Sequence, residues 1–396
     1  MFAPLSTARK VIRRGVVLVS CLWLAACDAS MTGPLGGSGG AGGPQIDTNA
    51  PVQVALLLPK SDPGAGSVAR SLENAVRLAI TDLQGARIDL RVYDTGGQAS
   101  MAASQAQLAV DEGAKIILGP LFGEAANAAA VAVADEGISV LSFSNNTSIA
   151  GGNLFVLGAT FENTADRLMG YATRQGKGNV AVLYTDNVAG TLGRDAITAA
   201  AARSGGSVVG SVPYALNTES LNSALNQVKG MVDSGAANAM FITDNYDGGL
   251  SVVLQLGPER GISPASTQYI GLTRWDVRPD AFLLPGIEGS YFAMPDVAMN
   301  NSFETRYTNA YGSAPHALAG LGYDGIAAIG ALVGQGRKDA LTRRALTQAS
   351  GFQGTGGVFR LLSDGTNQRG LAVATIRNSQ VVILDPAPRS FGGAGF

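Results

Sequence analysis

The chain has 396 residues, of which 46% are hydrophobic and 15% charged, with a formal net charge of −2. That composition supports one or two sizeable cores and excludes global disorder, and a mildly acidic surface gives no electrostatic basis for sequence-independent nucleic-acid binding. One histidine and two cysteines are too few for a Cys/His zinc site, Cys/His proteolysis or a disulfide framework.

At the N-terminus, Arg13-Arg14 precedes the apolar run Val16–Leu24, too short to cross a bilayer but suited to a signal-peptide core. The run closes with Leu24-Ala25-Ala26-Cys27, which resembles a bacterial lipobox with Cys27 as the lipid acceptor. The competing reading is an ordinary A-x-A secretory site with an incidental cysteine. Loss of Arg9, Lys10, Arg13 and Arg14 with residues 1–26 takes the basic count from 28 to 24, against 30 acids. Residues 31–50 hold seven glycines and read as the end of a flexible tether, spanning 27–50 and reaching roughly 25 Å from the membrane.

From residue 51 the pattern alternates between strand and helix. VQVALLL (52–58) reads as a buried strand, followed by helical spacing over 67–83. A strand at 88–94 precedes a helix near 100–111, KIILGP (115–120) precedes one at 124–135, and ISVLSFS (138–144) continues the series. Strands at 179–186, 207–214, 239–244 and 268–272 then alternate with helices near 163–175, 193–204, 219–232 and 248–257. A long apolar helix is expected near 317–335. Continuous apolar strands in strict alternation predict parallel sheets covered on both faces. Two consecutive sets of units predict two similar lobes. A closed β/α barrel is the competitor, disfavoured by the break around Gly151–Ala159.

Parallel α/β sheets take ligands outside the carboxyl ends of their strands, at a topological switch point. Here those ends carry Leu121, Phe122 and Gly123; Ser144, Asn145, Asn146 and Thr147; Asp186 and Asn187; Asp244 and Tyr246; and Trp275. These are the candidate residues for a small polar ligand. Gly64-Ala65-Gly66-Ser67-Val68-Ala69, with Asp94 ending the next strand, approximates a dinucleotide fingerprint, but its loop is long and contains Pro63 where a tight turn is needed. Gly170–Lys177 looks like a phosphate loop but has one residue too many and follows a helix. His316 reads as a surface or capping residue, so no catalytic residue, metal or cofactor is expected.

The stretches VALLLP (54–59), ILGPLFGEAANAAAVAVADEGISVLSFSNNT (117–147), AVLYTDNVAGTLGRDAI (181–197), GSVVGSVPY (206–214) and LGYDGIAAIGAL (321–332) resemble the leucine/isoleucine/valine-binding type of periplasmic solute-binding protein. The resemblance implies two Rossmann-like lobes with parallel sheets joined by three crossovers, the type I periplasmic binding protein fold. One lobe would hold 51–158 and 293–352, the other 159–292 and 353–386, with a flexible tail at 387–396. It also implies a ligand cleft between the lobes, though Gly123 and Ala189 stand where family members commonly carry serine and tyrosine. The sequence is most similar to a subset of lipoproteins described as penicillin-binding protein activators. That implies a non-catalytic lipoprotein, held to the inner or outer membrane of a Gram-negative cell, whose partner is a peptidoglycan synthase. The alternative is the substrate-binding subunit of an ABC importer for amino acids or similar solutes, with a permease as partner.

Overall fold

The computed structural model describes residues 43–392; the expected signal peptide, Cys27 and the tether before Gly43 lie outside them. Its first lobe opens with β1 (Val52–Leu58), α1 (Gly66–Asp82), β2 (Ile88–Asp94), α2 (Ala99–Asp111), β3 (Ile116–Leu118), α3 (Gly123–Ala132), β4 (Val140–Ser142) and β5 (Leu154–Val156). The five strands are parallel, in the order β2-β1-β3-β4-β5. Side chains alternate across β1: Val54, Leu56 and Leu58 enter one core, Ala55 and Leu57 the other. Both faces are roofed by helices, so all seven residues of β1 are buried and all but Gln53 are apolar. On one face the roof is made with alanines of α2 and α3, small enough to bring both helices close to the sheet.

The second lobe repeats the plan with α4 (Phe161–Arg174), β6 (Asn179–Thr185), α5 (Val188–Ser204), β7 (Ser207–Tyr214), α6 (Thr218–Asp233), β8 (Ala239–Ile242), α7 (Leu250–Glu259), β9 (Gln268–Gly271) and β10 (Tyr291–Met294). The chain then returns to the first lobe through α8 (Val297–Tyr311), α9 (Ala319–Val333), the short α10 (Arg343–Leu346) and an antiparallel sheet of β11 (Phe352–Gly354), β12 (Gly357–Leu361) and β13 (Asn367–Arg369). It ends in β14 (Ala372–Arg377) and β15 (Gln380–Asp385), which complete a second sheet of order β15-β14-β10-β9-β8-β6-β7. Two open sheets, each with cores on both faces, exclude the closed barrel.

Four boundaries differ from the expectation. Helix α5 begins at Val188 and not at 193, because Asn187 caps it by accepting from the Gly190 N–H at 2.7 Å. The return to the second lobe falls near residue 370 and not 352, because Phe352, Phe359 and Leu361 join the first-lobe core. Neither end is loose within the described residues. Ile46, placed in the tether by composition, is buried in the first-lobe core, and its N–H donates to the Lys338 carbonyl at 3.0 Å. Beyond β15 the chain packs back onto the antiparallel sheet, where the Arg360 guanidinium lies 4.5 Å from the centre of the Phe391 ring.

The lobes are joined at three crossovers, near 157–160, 295–296 and 370–371, and polar side chains of β13 tie the first to the third. Asn367 donates to the carbonyls of Val156 and Gly158 at 2.8 and 2.9 Å, and its own carbonyl accepts from Asn163 Nδ2. Arg369 pairs with Asp324 at 2.9 Å, donates to the Leu157 carbonyl and lies over the Phe359 ring. The pair is nearly dry, with side chains 11% and 1% exposed, and Asp324 also accepts from the N–H and hydroxyl of Thr355.

Asp324→Asn leaves the Arg369 charge buried without its partner, and denaturant melts should show a loss of about 3–5 kcal/mol, much of it recovered when Arg369→Met is added to Asp324→Leu. Phe391→Ala removes part of the C-terminal contact and should cost about 1 kcal/mol in the same assay.

Candidate functional site

Strand order locates the switch points. In the first sheet direction reverses between β1 and β3; in the second, between β6 and β8. The loops outside the carboxyl ends of these strands are therefore the places where ligand chemistry can collect.

In the first lobe, Gly119 (φ +91°) lets the chain pass under β1, since a Cβ there would run into the Leu57 carbonyl oxygen. Leu121, Phe122 and Gly123 follow, and α3 starts with no side-chain cap, leaving the positive end of the helix open. A Cβ at Gly123 would lie 3.5 Å from both Ser144 Oγ and Asn146 Nδ2. Two of the five predicted segments thus converge on one helix N-terminus. Ser144 Oγ accepts from the Asn146 N–H, and Asn146 Oδ1 from Ser148, while Asn146 Nδ2 has no partner among the described residues. Gly158 holds the first crossover against this corner, where a Cβ would come within 2.6 Å of the Ser144 carbonyl oxygen. Asn145 is exposed, and Thr147 turns away to donate to Glu162 at 3.4 Å.

Asp62 belongs to the same rim and was not singled out in the sequence. A Cβ on Gly97 would lie 2.8 Å from Asp62 Oδ2 and 3.2 Å from the Phe122 ring. The Asp-Pro-Gly turn is the only local signal for it. Asp62 accepts from the N–H groups of Gly64 and Ala65, which a pyrophosphate would need, so the glycine-rich loop is already filled by the protein's own carboxylate. Asp94 ties the loop down by accepting from the N–H groups of Lys60, Ser61 and Gly96. Burial pushes its carboxyl up, but these hydrogen bonds outweigh it and hold the group below the usual carboxylate range.

In the second lobe Asp186 is exposed and Asn187 is the α5 cap. Asp244 is 9% exposed, and its carboxylate accepts from the Tyr214 hydroxyl, from the Gly249 N–H at 2.7 Å and from the Asn245 N–H at 3.1 Å. It therefore fastens the loop before α7, with little acceptor capacity left. Burial, then the hydrogen bond to Asp244, drives the Tyr214 phenol far above its ordinary value. Tyr246 donates to the Trp275 carbonyl at 2.8 Å under the Arg278 guanidinium, and burial followed by the charges of Asp276 and Asp280 pushes it up to about 12.

Trp275 is a correction. It is 0% exposed and packed in the second-lobe core, with Gly271 beneath it, so its indole faces no cleft. By sequence an aromatic side chain after a strand end reads as a rim residue, whereas the loop folds it inward. The buried hydroxyls of Thr185 and Thr243, at the ends of β6 and β8, lie at that switch point instead.

The fold is that of the leucine-binding type of periplasmic protein. The sequence model of the periplasmic binding proteins matches residues 51–380, and the chain belongs to that family. Solved structures of similar architecture include one described as a putative branched-chain amino acid ABC transporter from Rhodospirillum rubrum, with a TM-score of 0.73 at 20% identity, covering 85% of this chain and 100% of that one. A substrate-binding protein from Desulfitobacterium hafniense complexed with Leu superposes with a TM-score of 0.59 at 19% identity, over 85% and 100% of the chains. A solute-binding protein from Rhodopseudomonas palustris, in complex with 3,4-dihydroxy benzoic acid, gives 0.54 at 19% identity over 85% and 98%. Comparison with curated protein sequences finds no match. The family places the domain in the periplasm.

Asp94→Asn should lower the melting temperature at neutral pH. Because the folded carboxyl sits below its unfolded value of about 3.9, its contribution is present above that pH and fades as the pH falls through the folded value. The gap between variant and parent should therefore close in acid, as thermal melts along a pH series would show.

Proposed function

We propose that the chain is the substrate-binding subunit of an ABC importer, and that the cleft between its lobes takes a small polar solute carrying a carboxylate, an amino acid or a similar acid. The observation that carries this reading is the uncapped N-terminus of α3, with Ser144 and the free amide of Asn146 beside it. Helix N–H groups and amide donors suit a carboxylate. Asp244, the acid best placed by sequence to hold an ammonium, is committed to Tyr214 and Gly249, so an ammonium is not a requirement of the ligand. Leucine and 3,4-dihydroxy benzoic acid, bound by two of the neighbours, share a carboxylate and not an ammonium. The lobes close over the solute by hinge motion at the crossovers, and the permease reads the closed form.

Regulation of a penicillin-binding protein was the first expectation from sequence. The neighbours are transporter binding proteins, which favours the importer reading over it. A lipid anchor on Cys27 fits either role.

Thermal melts against a panel of small carboxylates test the proposal. A true ligand at a hundred times its Kd should add about 2.7 kcal/mol, a shift of several degrees. Gly123→Ser, whose Cβ meets only ordinary contacts, should fold normally and bind such a ligand several-fold tighter through its added hydroxyl. Absence of any carboxylate-dependent shift, together with stimulation of lipid II polymerisation by a purified synthase, would return the protein to the regulator reading.

A further inference from the structure

β15 ends the seven-stranded sheet, so one side of it has no neighbouring strand. From Gln380 to Leu384 it carries no charge, and Val381, Val382 and Ile383 are 38%, 36% and 38% exposed. A bare apolar edge of this kind is an open template for another strand. The other edges of the two large sheets are protected. β2 carries Asp89 and Arg91, β5 is covered where the Val156 N–H donates to the Gly365 carbonyl at 2.8 Å, and β7 carries Pro213 and a register shift.

The hairpin decides which backbone groups of β15 are free. Asn378 and Ser379 form its two-residue turn, with φ of +51° and +58°, the left-handed geometry of a tight hairpin. Arg377 and Gln380 close the turn as a hydrogen-bonded pair, and Thr375 with Val382 is the next such pair. Val381 and Ile383 therefore direct their N–H and carbonyl groups away from β14. Among the described residues nothing pairs with these groups. The one irregularity, a bulge at Leu384, comes after them.

Charge indicates what covers this edge. Asp385 stands opposite Val373, on the sheet face packed by α4, where Arg167 and Arg174 hold it. Arg377, four residues after Val373 in β14, shares that face and has no carboxylate partner among the described residues. The hairpin thus has a cationic end and an anionic end on one face. Two copies related by a two-fold axis perpendicular to the sheet run their β15 strands antiparallel, with the same face upward. Centred on Val382, this pairing sets Val381 of each copy against Ile383 of the other, so the outward backbone groups bond each other. Asp385 of each copy then lies diagonally beside Arg377 of the other.

We propose that β15 pairs edge to edge with β15 of a second copy of this chain, joining two second-lobe sheets into one continuous sheet. Assembly stops at two, because the outer edges left over are the β7 strands, each blunted by Pro213. The pairing uses only the second lobe and holds whatever solute the cleft takes.

Sedimentation equilibrium of the full-length chain tests this, in a Cys21→Ser, Cys27→Ser background that removes both thiols and any acyl anchor. A monomer–dimer equilibrium is expected. Val381→Pro deletes one outward N–H, and Val382→Lys sets a charge against its own symmetry mate. Each should weaken the dimer about tenfold or more, while dilute samples of both melt like the parent. In the same background Val382→Cys should form a disulfide-linked dimer under mild oxidation, since the residue meets its own copy across a closely spaced pair. Gln380→Cys, which faces Leu384 of the other copy, should not. A monomer at every concentration would leave the edge to a different protein and overturn the assignment. So would a dimer that survives both substitutions, cross-linking through Gln380→Cys in place of Val382→Cys, or assemblies that grow beyond two.

Discussion

The ion pair between Arg369 and Asp324 is the constraint on which the two-lobed arrangement depends. Three separate passes of the chain run side by side at the hinge. A nearly dry guanidinium, held at once by Asp324 and by the Leu157 carbonyl, ties the third crossover to the first and to α9. Such a pair adds little net stability relative to an apolar substitute, while removing one partner leaves a buried charge unpaired. Its value is therefore in specifying geometry. Asn367, two residues earlier in the same strand, does the same with neutral groups, and together they leave the strand-end loops free of the task of holding the lobes together.

That division explains the chemistry of the two lobes. In the first, donors gather at the open end of α3 with little to bind within the protein. In the second, the conspicuous acid and tyrosine at the strand ends bind each other and the loop before α7. The asymmetry suits a ligand gripped at its acidic end by the first lobe and covered by the second as the lobes close.

How much of this could be read from sequence depended on how local the controlling physics was. β1, β6 and β8 were legible because burial on both faces forces continuous apolar runs, and alternation with helices followed from parallel connection. The start of α5 was missed because one capping asparagine outweighed a weak apolar periodicity. Residues 352–369 form short strands with glycines and an Asn-Gln-Arg segment, which carries no periodic signal, so their allegiance to the first lobe came from the burial of Phe352, Phe359 and Leu361 in its core. Trp275 showed the same limit at the site: residue type indicated an aromatic near the rim, but burial was decided by the room above Gly271 and the turn of the following loop. Ser144, Asn146 and Gly123 could be nominated individually. Their convergence depended on Gly119 and Gly158 permitting close backbone approaches that no sequence pattern encodes.

The most direct measurement is the amide NMR spectrum of the protein titrated with a small carboxylate that shifts its melting temperature. The account requires saturable movement of the Gly123 and Glu124 N–H resonances at the α3 N-terminus, with the side-chain amide of Asn146 moving at the same ligand concentration. Resonances of this corner that stay fixed while others saturate would contradict it.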